Sequence, residues 1–462
     1  METLQIDRSI NTASGSDINV SMQKIQKNTA DLFSRPNPSG MKIACIGSSI
    51  TQHATDWGAE KMENDSRGYM TWLNALSGQR FYYATWPSED GTEFYGSNKG
   101  VSGQFSHEIL ARVHDVIGMG VDICIVQNGT NDLSSVDYET VISNTKALYD
   151  QLLEAGIFVV ALAILPRNAS VGNGWEADGE ARHKRNRVNA WKRDYVEARA
   201  GIIYIDPAHY LINQDDVNGE PLSGLFYDGT HTSFAGGYLV GRALNDALSS
   251  IFPDRPSLIS GADNVYHTEN PKGCMTPNPT FLGTGGTPGA GVTGTLPTGW
   301  ELERYSGTSS TAAASVIKAL DGTTNQVQID ITPAGNDETF YFRTDSATVT
   351  TGVIGGDWYQ AEIDIEISGG YAGFYNVSLT VDEMSPGGVK VTDMAGYGSE
   401  KLPTNNLTLR LRTPPVKTKG TGGLRFRVEI DLDGTIAGSP VIKLSKPSLR
   451  SVQSPEVILN GG

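Results

Sequence analysis

Apolar and polar positions follow two different rhythms along this chain, and the change falls near residue 252. In the first half, short apolar runs of strand length alternate with longer segments of helical period. Met41–Ile46, Val121–Val126, Phe158–Leu165 and Ile202–Ile205 are near-continuous apolar runs, as strands buried on both faces require. Phe81–Thr85 adds a shorter candidate strand. Between them, Tyr69–Leu76, Phe105–Ile117, Val136–Ala155, Ala181–Ala200 and Phe234–Ile251 carry apolar residues at helical spacing. Strands separated in this way by helices predict a parallel three-layer α/β sheet with right-handed crossovers.

The second half reads differently. Gln326–Ile331, Glu338–Phe342, Trp358–Ile367, Val377–Val381, Leu407–Leu411 and Leu424–Ile430 alternate with period two between Gly, Asn and Asp clusters, with no long helix. That pattern predicts an antiparallel β-sandwich. The expected organisation is an N-terminal arm (1–40), an α/β domain (41–252), a Pro-, Gly- and Ser-rich linker (253–275) and the sandwich (276–462). The arm carries Ile18, Val20, Met22, Ile25 and Leu32, a weakly amphipathic pattern. Thr276–Gly299, almost all Thr, Gly and Pro, is expected to be irregular or edge structure. A fragment ending near Ser260 is expected to keep its sheet.

Composition narrows the function classes. A net charge of −16 over 462 residues argues against nucleic-acid and anionic-membrane partners, which attract basic surfaces. No apolar segment is long enough to span a bilayer, and the polar first residues lead us to expect no signal peptide. The three cysteines, Cys45, Cys124 and Cys274, form neither a disulfide framework nor a zinc spacing, and no cofactor is implied.

Four motifs fall at the ends of successive α/β elements: Gly47-Ser48-Ser49-Ile50-Thr51, Asn98-Lys99-Gly100-Val101-Ser102-Gly103, Gly129-Thr130-Asn131-Asp132 and Asp228-Gly229-Thr230-His231. Open α/β sheets bind ligands beyond the carboxyl ends of their strands. Each motif alone also suits an ordinary turn. Together they supply what acyl transfer needs. A serine hydroxyl requires a base to take its proton. His231 is a candidate base, with an ordinary imidazole pKa of ~6.5. Asp228 can hold that imidazole in one tautomer. The N–H groups of Ser49 and Gly103 and the side-chain amide of Asn131 are candidate oxyanion donors.

Over Met41–Ile251 the chain resembles the SGNH (GDSL-like) hydrolases, whose Ser, Gly, Asn and His motifs stand here in the family's order. The resemblance implies a flavodoxin-like sheet and an esterase, lipase, thioesterase or carbohydrate-deacetylase activity. It implies Ser49 as nucleophile, Asp228 and His231 as its triad partners, and Ser49, Gly103 and Asn131 as the oxyanion hole, with no metal. Two positions depart from the family pattern. Ser48 stands where Asp is usual, which makes the nucleophile ambiguous on paper, though the G-x-S-x-T register favours Ser49. Thr232 stands where many relatives carry proline.

His53, His107, His114, His183, His209 and His267 have no partner pattern and are read as surface or core residues. His183-Lys184-Arg185-Asn186-Arg187 is read as a solvated helix face. Phe81, Tyr82, Tyr83, Trp86, Phe94 and Tyr95 are read as local core, with a cleft wall as the alternative. The C-terminal half resembles the carbohydrate-binding-like, jelly-roll-like sandwiches of polysaccharide-acting enzymes and phage tail proteins, on Asn278-Pro279-Thr280-Phe281 and Leu296-Pro297-Thr298-Gly299-Trp300. The expected function is hydrolysis of O-acetyl or similar esters on a carbohydrate, in a phage or prophage tail setting on a virion or outside the cell, and otherwise in the cytoplasm. The alternatives are a lipase- or thioesterase-type enzyme acting on small acyl esters, and a binding or structural tail protein with an inactive hydrolase domain. The expected partner is the ester substrate, and oligomerisation is left open.

Overall fold

A computed structural model gives the fold and describes residues 40–58, 61–88, 93–216, 218–253, 264–344, 349–368, 373–396, 398–403, 406–436 and 438–459. The expected arm, apart from Gly40, and residues 254–263 of the expected linker lie outside these residues. In the first half the strands are β1 (Met41–Gly47), β2 (Thr55–Gly58), β3 (Lys61–Asp65), β4 (Phe81–Tyr82), β5 (Thr85–Pro87), β6 (Phe94–Gly96), β7 (Asn98–Gly100), β8 (Ile123–Gln127), β9 (Phe158–Leu162) and β10 (Ile202–Ile205). One sheet runs β10-β9-β8-β1-β4, every pair parallel, with β7 also joined to β1. This is the flavodoxin-like order, with β1 at the point where the chain reverses its direction of winding. Ile43 and Cys45 of β1 face the Tyr69–Leu76 and Phe234–Ser249 helices, while Ala44 and Ile46 face the helices between residues 106 and 197. Burial on both faces is why the run carries no polar alternation.

The helix expected over Phe105–Ile117 is two short ones, Ser106–Ala111 and Val113–Ile117, broken at Arg112. The Arg112 guanidinium turns back to Gln104 Oε1, at 2.8 Å from Nε and 2.6 Å from Nη2. That contact ties the break to the loop carrying Gly103.

The second half contains β11 (Thr287–Pro288), β12 (Val292–Gly294), β13 (Trp300–Ser306), β14 (Thr311–Lys318), β15 (Asn325–Thr332), β16 (Glu338–Thr344), β17 (Trp358–Ser368), β18 (Phe374–Glu383), β19 (Lys390–Ala395), β20 (Leu407–Arg412), β21 (Val416–Lys417), β22 (Leu424–Leu432) and β23 (Val441–Val452). Its two sheets contain the paths β15-β23-β17-β20 and β16-β22-β18-β19. Numbered within the sandwich, these are the two four-stranded sheets of a jelly roll. Alternation drives it: Leu424, Phe426, Val428, Ile430 and Leu432 of β22 are buried inward, and Trp300 stacks on Phe342 at 4.8 Å in the same core.

The two halves are not separate bodies. β3 pairs in parallel with β19, so the β2–β3 hairpin extends a sandwich sheet. Met62, Trp72, Phe234 and Tyr238 belong to the sandwich's hydrophobic core. Asn64 Nδ2 donates to Asp393 at 2.8 Å, Ser66 Oγ to the Ala395 carbonyl at 2.7 Å, and Gln79 Nε2 to the Arg410 carbonyl at 2.9 Å. The segment Pro455–Leu459 after the last strand is a short helix. It returns to the first half, placing Leu459 in the core beneath the α/β sheet and the Ile458 carbonyl 3.1 Å from Lys42 Nζ. Of the expected linker, Cys274 and Met275 are buried, and the Met275 N–H donates to Leu449. The expectation of a fragment that stands alone near Ser260 does not fit this seam.

Candidate active site

β1 ends at Gly47, where the chain turns into the helical turn Ser49–Gln52. A Cβ at Gly47 would lie 2.3 Å from Thr51 Oγ1 and 2.4 Å from the Gln127 carbonyl, so only glycine fits this turn. The two serines point to different surroundings. Ser48 is buried with Oγ 3.4 Å from Gln127 Oε1, and its carbonyl accepts the Thr51 and Gln52 N–H groups. Ser49 Oγ lies 2.8 Å from His231 Nε2.

The loop before the Phe234–Ser249 helix supplies the other partners. Asp228 Oδ1 accepts the N–H groups of Thr230 at 2.9 Å and His231 at 2.8 Å, and Oδ2 lies 2.6 Å from His231 Nδ1. Burial pushes the Asp228 carboxyl up, but the hydrogen bonds from His231 and Thr230 outweigh it and leave it below the ordinary carboxylate value. An ionised Asp228 fixes the imidazole proton on Nδ1 and leaves the Nε2 lone pair facing the Ser49 hydroxyl.

The remaining motif residues border this group. Val101 N–H donates to the Gly47 carbonyl at 3.0 Å and Ser102 N–H to Gln52 Oε1 at 2.6 Å, holding the Gly103 loop beside the Ser49 turn. Gly103 has φ +78°, a left-handed conformation that favours glycine. Among the described residues its N–H has no hydrogen-bond partner. Asn131 Nδ2 donates one hydrogen to the Gln104 carbonyl at 3.0 Å, and its Oδ1 accepts from Arg167 Nη2 at 3.0 Å. Its second amide hydrogen is left for a ligand. Asp132 anchors this loop by accepting both the N–H and the hydroxyl of Ser106.

The sequence profile of the GDSL-like lipase/acylhydrolase family matches residues 45–237. This segment is a domain of that family. The chain is similar to several solved structures, each over about half its length. A GDSL-like lipase from Bacteroides thetaiotaomicron is 17% identical, over 50% of this chain and 98% of that one, with a TM-score of 0.36. A carbohydrate esterase of family 3 from Talaromyces cellulolyticus is 17% identical, over 46% and 97%, with a TM-score of 0.33. An acetyl-xylooligosaccharide esterase from Geobacillus is 17% identical, over 47% and 97%, with a TM-score of 0.34. A search of curated proteins returns no match. Residues 45–237 are therefore an SGNH-type ester hydrolase domain.

Several residues around this hydrolase site carry no motif. The His53 ring lies 4.4 Å from that of His231. Burial, with repulsion from His231 and Arg67, pushes His53 down to about 4, so it stays neutral at ordinary pH. Tyr227 stacks beside both rings. The Arg67 guanidinium lies 3.9 Å from the Tyr227 ring centre. Burial lowers the Arg167 pKa to about 10, with Asp228 opposing, and Arg167 lies over Trp175 while it holds Asn131. None of these could be picked from spacing, because each acts through a partner on a distant element. In the aromatic insertion, Phe81, Tyr82 and Trp86 are buried as core and Tyr95 is 42% exposed. The three cysteines are free and buried, and burial pushes Cys45 up to about 12. Among the described residues no group of three or more His, Cys, Asp or Glu could hold a metal ion, and no helix is long and apolar enough to cross a membrane.

Proposed function

We propose that this hydrolase removes small acyl groups, O-acetyl above all, from a carbohydrate, with Ser49 as its nucleophile. The observation that carries the mechanism is the hydrogen-bonded line from Ser49 Oγ to His231 Nε2 at 2.8 Å and from His231 Nδ1 to Asp228 Oδ2 at 2.6 Å. Ser49 Oγ attacks the acyl carbonyl as Nε2 takes its proton, and Asp228 stabilises the imidazolium. The oxyanion of the tetrahedral intermediate is met by the N–H groups of Ser49 and Gly103 and by the Asn131 amide. Collapse expels the alcohol, which takes the proton from His231. Water then attacks the acyl-serine by the same route, releasing the acid and restoring Ser49.

The polar rim of His53, Tyr227, Arg67 and Arg167 supports a hydroxyl-rich leaving group over a lipid. A tail-associated setting belongs to the same proposal and is tested by whether antibody to the chain labels intact virions. For the chemistry, Ser49→Ala should abolish turnover of a short aryl ester and covalent labelling by a fluorophosphonate, while Ser48→Ala keeps both. Reversed behaviour of the two variants would assign the nucleophile to Ser48. For the substrate, acetate release from a panel of O-acetylated polysaccharides should exceed fatty-acid release from emulsified triglyceride, and the opposite ranking would overturn the carbohydrate reading.

A further inference from the structure

One carboxylate of the jelly roll reaches the loop that carries His231. Glu400 stands five residues past β19, and its Oε1 accepts from Arg67 Nε at 2.7 Å while Arg67 Nη2 completes the ion pair. Its Oε2 accepts the N–H of Phe234 at 2.9 Å. Phe234 opens the helix that begins three residues after His231. The Arg67 carbonyl accepts from Thr232 Oγ1 at 2.7 Å. The Arg67 guanidinium lies against Tyr227, whose ring is 5.8 Å from that of His231 with planes 21° apart. The Tyr227 N–H donates to the His231 carbonyl at 3.0 Å. Glu400 therefore holds the segment 227–234 at both ends, directly at Phe234 and through Arg67 at Tyr227 and Thr232.

We propose that Glu400 is a positioning residue for ester hydrolysis: through Arg67 and Phe234, the jelly roll sets where the Asp228–His231 pair stands against Ser49. The proposal rests on the assignment of Ser49, His231 and Asp228 above. Glu400 does not touch the reacting atoms, and its effect has two physical parts. Its side chain is 20% exposed and that of Arg67 13%, so the pair is largely shielded from water and holds its geometry better than a surface ion pair. Without Glu400, the guanidinium would also lose that carboxylate's hold, loosening its place against the Tyr227 ring and the backbone that receives Thr232.

The test compares full-length wild type, Glu400→Ala, Glu400→Gln and Gln79→Gly on an aryl acetate, with kcat expressed per serine titrated by a fluorophosphonate. Gln79→Gly removes a seam hydrogen bond to the Arg410 carbonyl remote from Ser49, at a φ of 59° that glycine accepts. Glu400→Ala should lower kcat per titrated serine about 10- to 100-fold, the scale of a misplaced catalytic group. Its KM should stay within about threefold, since the loss falls on the transition state. Glu400→Gln, which keeps an acceptor for the Phe234 N–H, should recover part of kcat, and Gln79→Gly should match wild type. Unchanged kcat per titrated serine in Glu400→Ala would overturn the proposal, as would an equal loss in Gln79→Gly, which would mean that seam integrity alone matters. If Glu400→Ala does not fold, Glu400→Gln with wild-type kcat is the overturning result. Wild type that neither turns over the ester nor labels at Ser49 would instead remove the esterase assignment, and the proposal with it.

Discussion

Deleting the jelly roll should unfold the hydrolase half rather than only weaken its hold on large substrates. A fragment ending at Pro253 loses the cover of Met62, Trp72 and Phe234, which are fully buried, and of Tyr238, which is 7% exposed. At roughly 1.5–3 kcal/mol for each large side chain returned to water, the four together amount to about 6–12 kcal/mol. The fragment also loses the β3–β19 ladder and the Leu459 plug. Whole-domain stabilities are about 5–15 kcal/mol, so little or nothing is left to hold the fragment. Calorimetry of the full chain should show one transition, and the fragment should lack a cooperative melt and near-ultraviolet dichroism. A companion chain with a protease site introduced between Pro253 and Asn264 should keep its aryl-ester activity after cleavage, because contact rather than covalent continuity holds the halves. A fragment that melted cooperatively within a few degrees of the full chain, with the same kcat per titrated serine, would refute this reasoning.

Three further outcomes are expected at or near the site. Asp228→Asn should lower kcat about 10⁴-fold on an aryl ester by favouring the wrong imidazole tautomer, with the fold unchanged by circular dichroism. Asn131→Ala should cost about 3 kcal/mol of transition-state stabilisation, read as a 10²–10³-fold fall in kcat with KM little changed. Lys192 is fully buried, with Nζ near the carbonyls of Asn128 and Leu162, and burial lowers its pKa to about 7. The unfolded value is ~10.4, so the folded state is penalised below pH 7 and relieved as pH rises toward 10. Lys192→Met should therefore raise the melting temperature at pH 6, on the order of a few kcal/mol, with a gap that narrows by pH 9. A gap independent of pH would show that Lys192 does not titrate in this range.

What could be read from the sequence was whatever is local. The apolar runs at Met41, Val121, Phe158 and Ile202 announce buried parallel strands, and the residues that converge on Ser49 sit in short motifs at the ends of such elements. β3 reads Lys-Met-Glu-Asn-Asp and shows no strand pattern, because Met62 is its only apolar residue and one of its two partner strands, β19, lies in the other half of the chain. β23 was hidden by Pro447, which a strand interior normally excludes. The structure absorbs it at an irregularity in the β17–β23 ladder, with Lys446 at φ +52°. Arg67 and Glu400 were invisible for a different reason. Their partners lie 333 positions apart, and an ion pair between distant loops leaves no periodicity behind.

The β3–β19 ladder also sets when the molecule can become an enzyme. Asn64 meets Asp393 across 329 positions, so the hairpin beside the Ser49 turn waits for a strand made late in synthesis. A nascent chain that has finished all its hydrolase motifs still shows water the faces of Met62 and Trp72 that the jelly roll will cover. Contacts this distant close slowly, because the loop entropy is lost before the contact repays it. Esterase activity in a translation mixture should therefore lag behind the synthesis of His231, the last of the proposed catalytic residues, and appear only after β19 has left the ribosome.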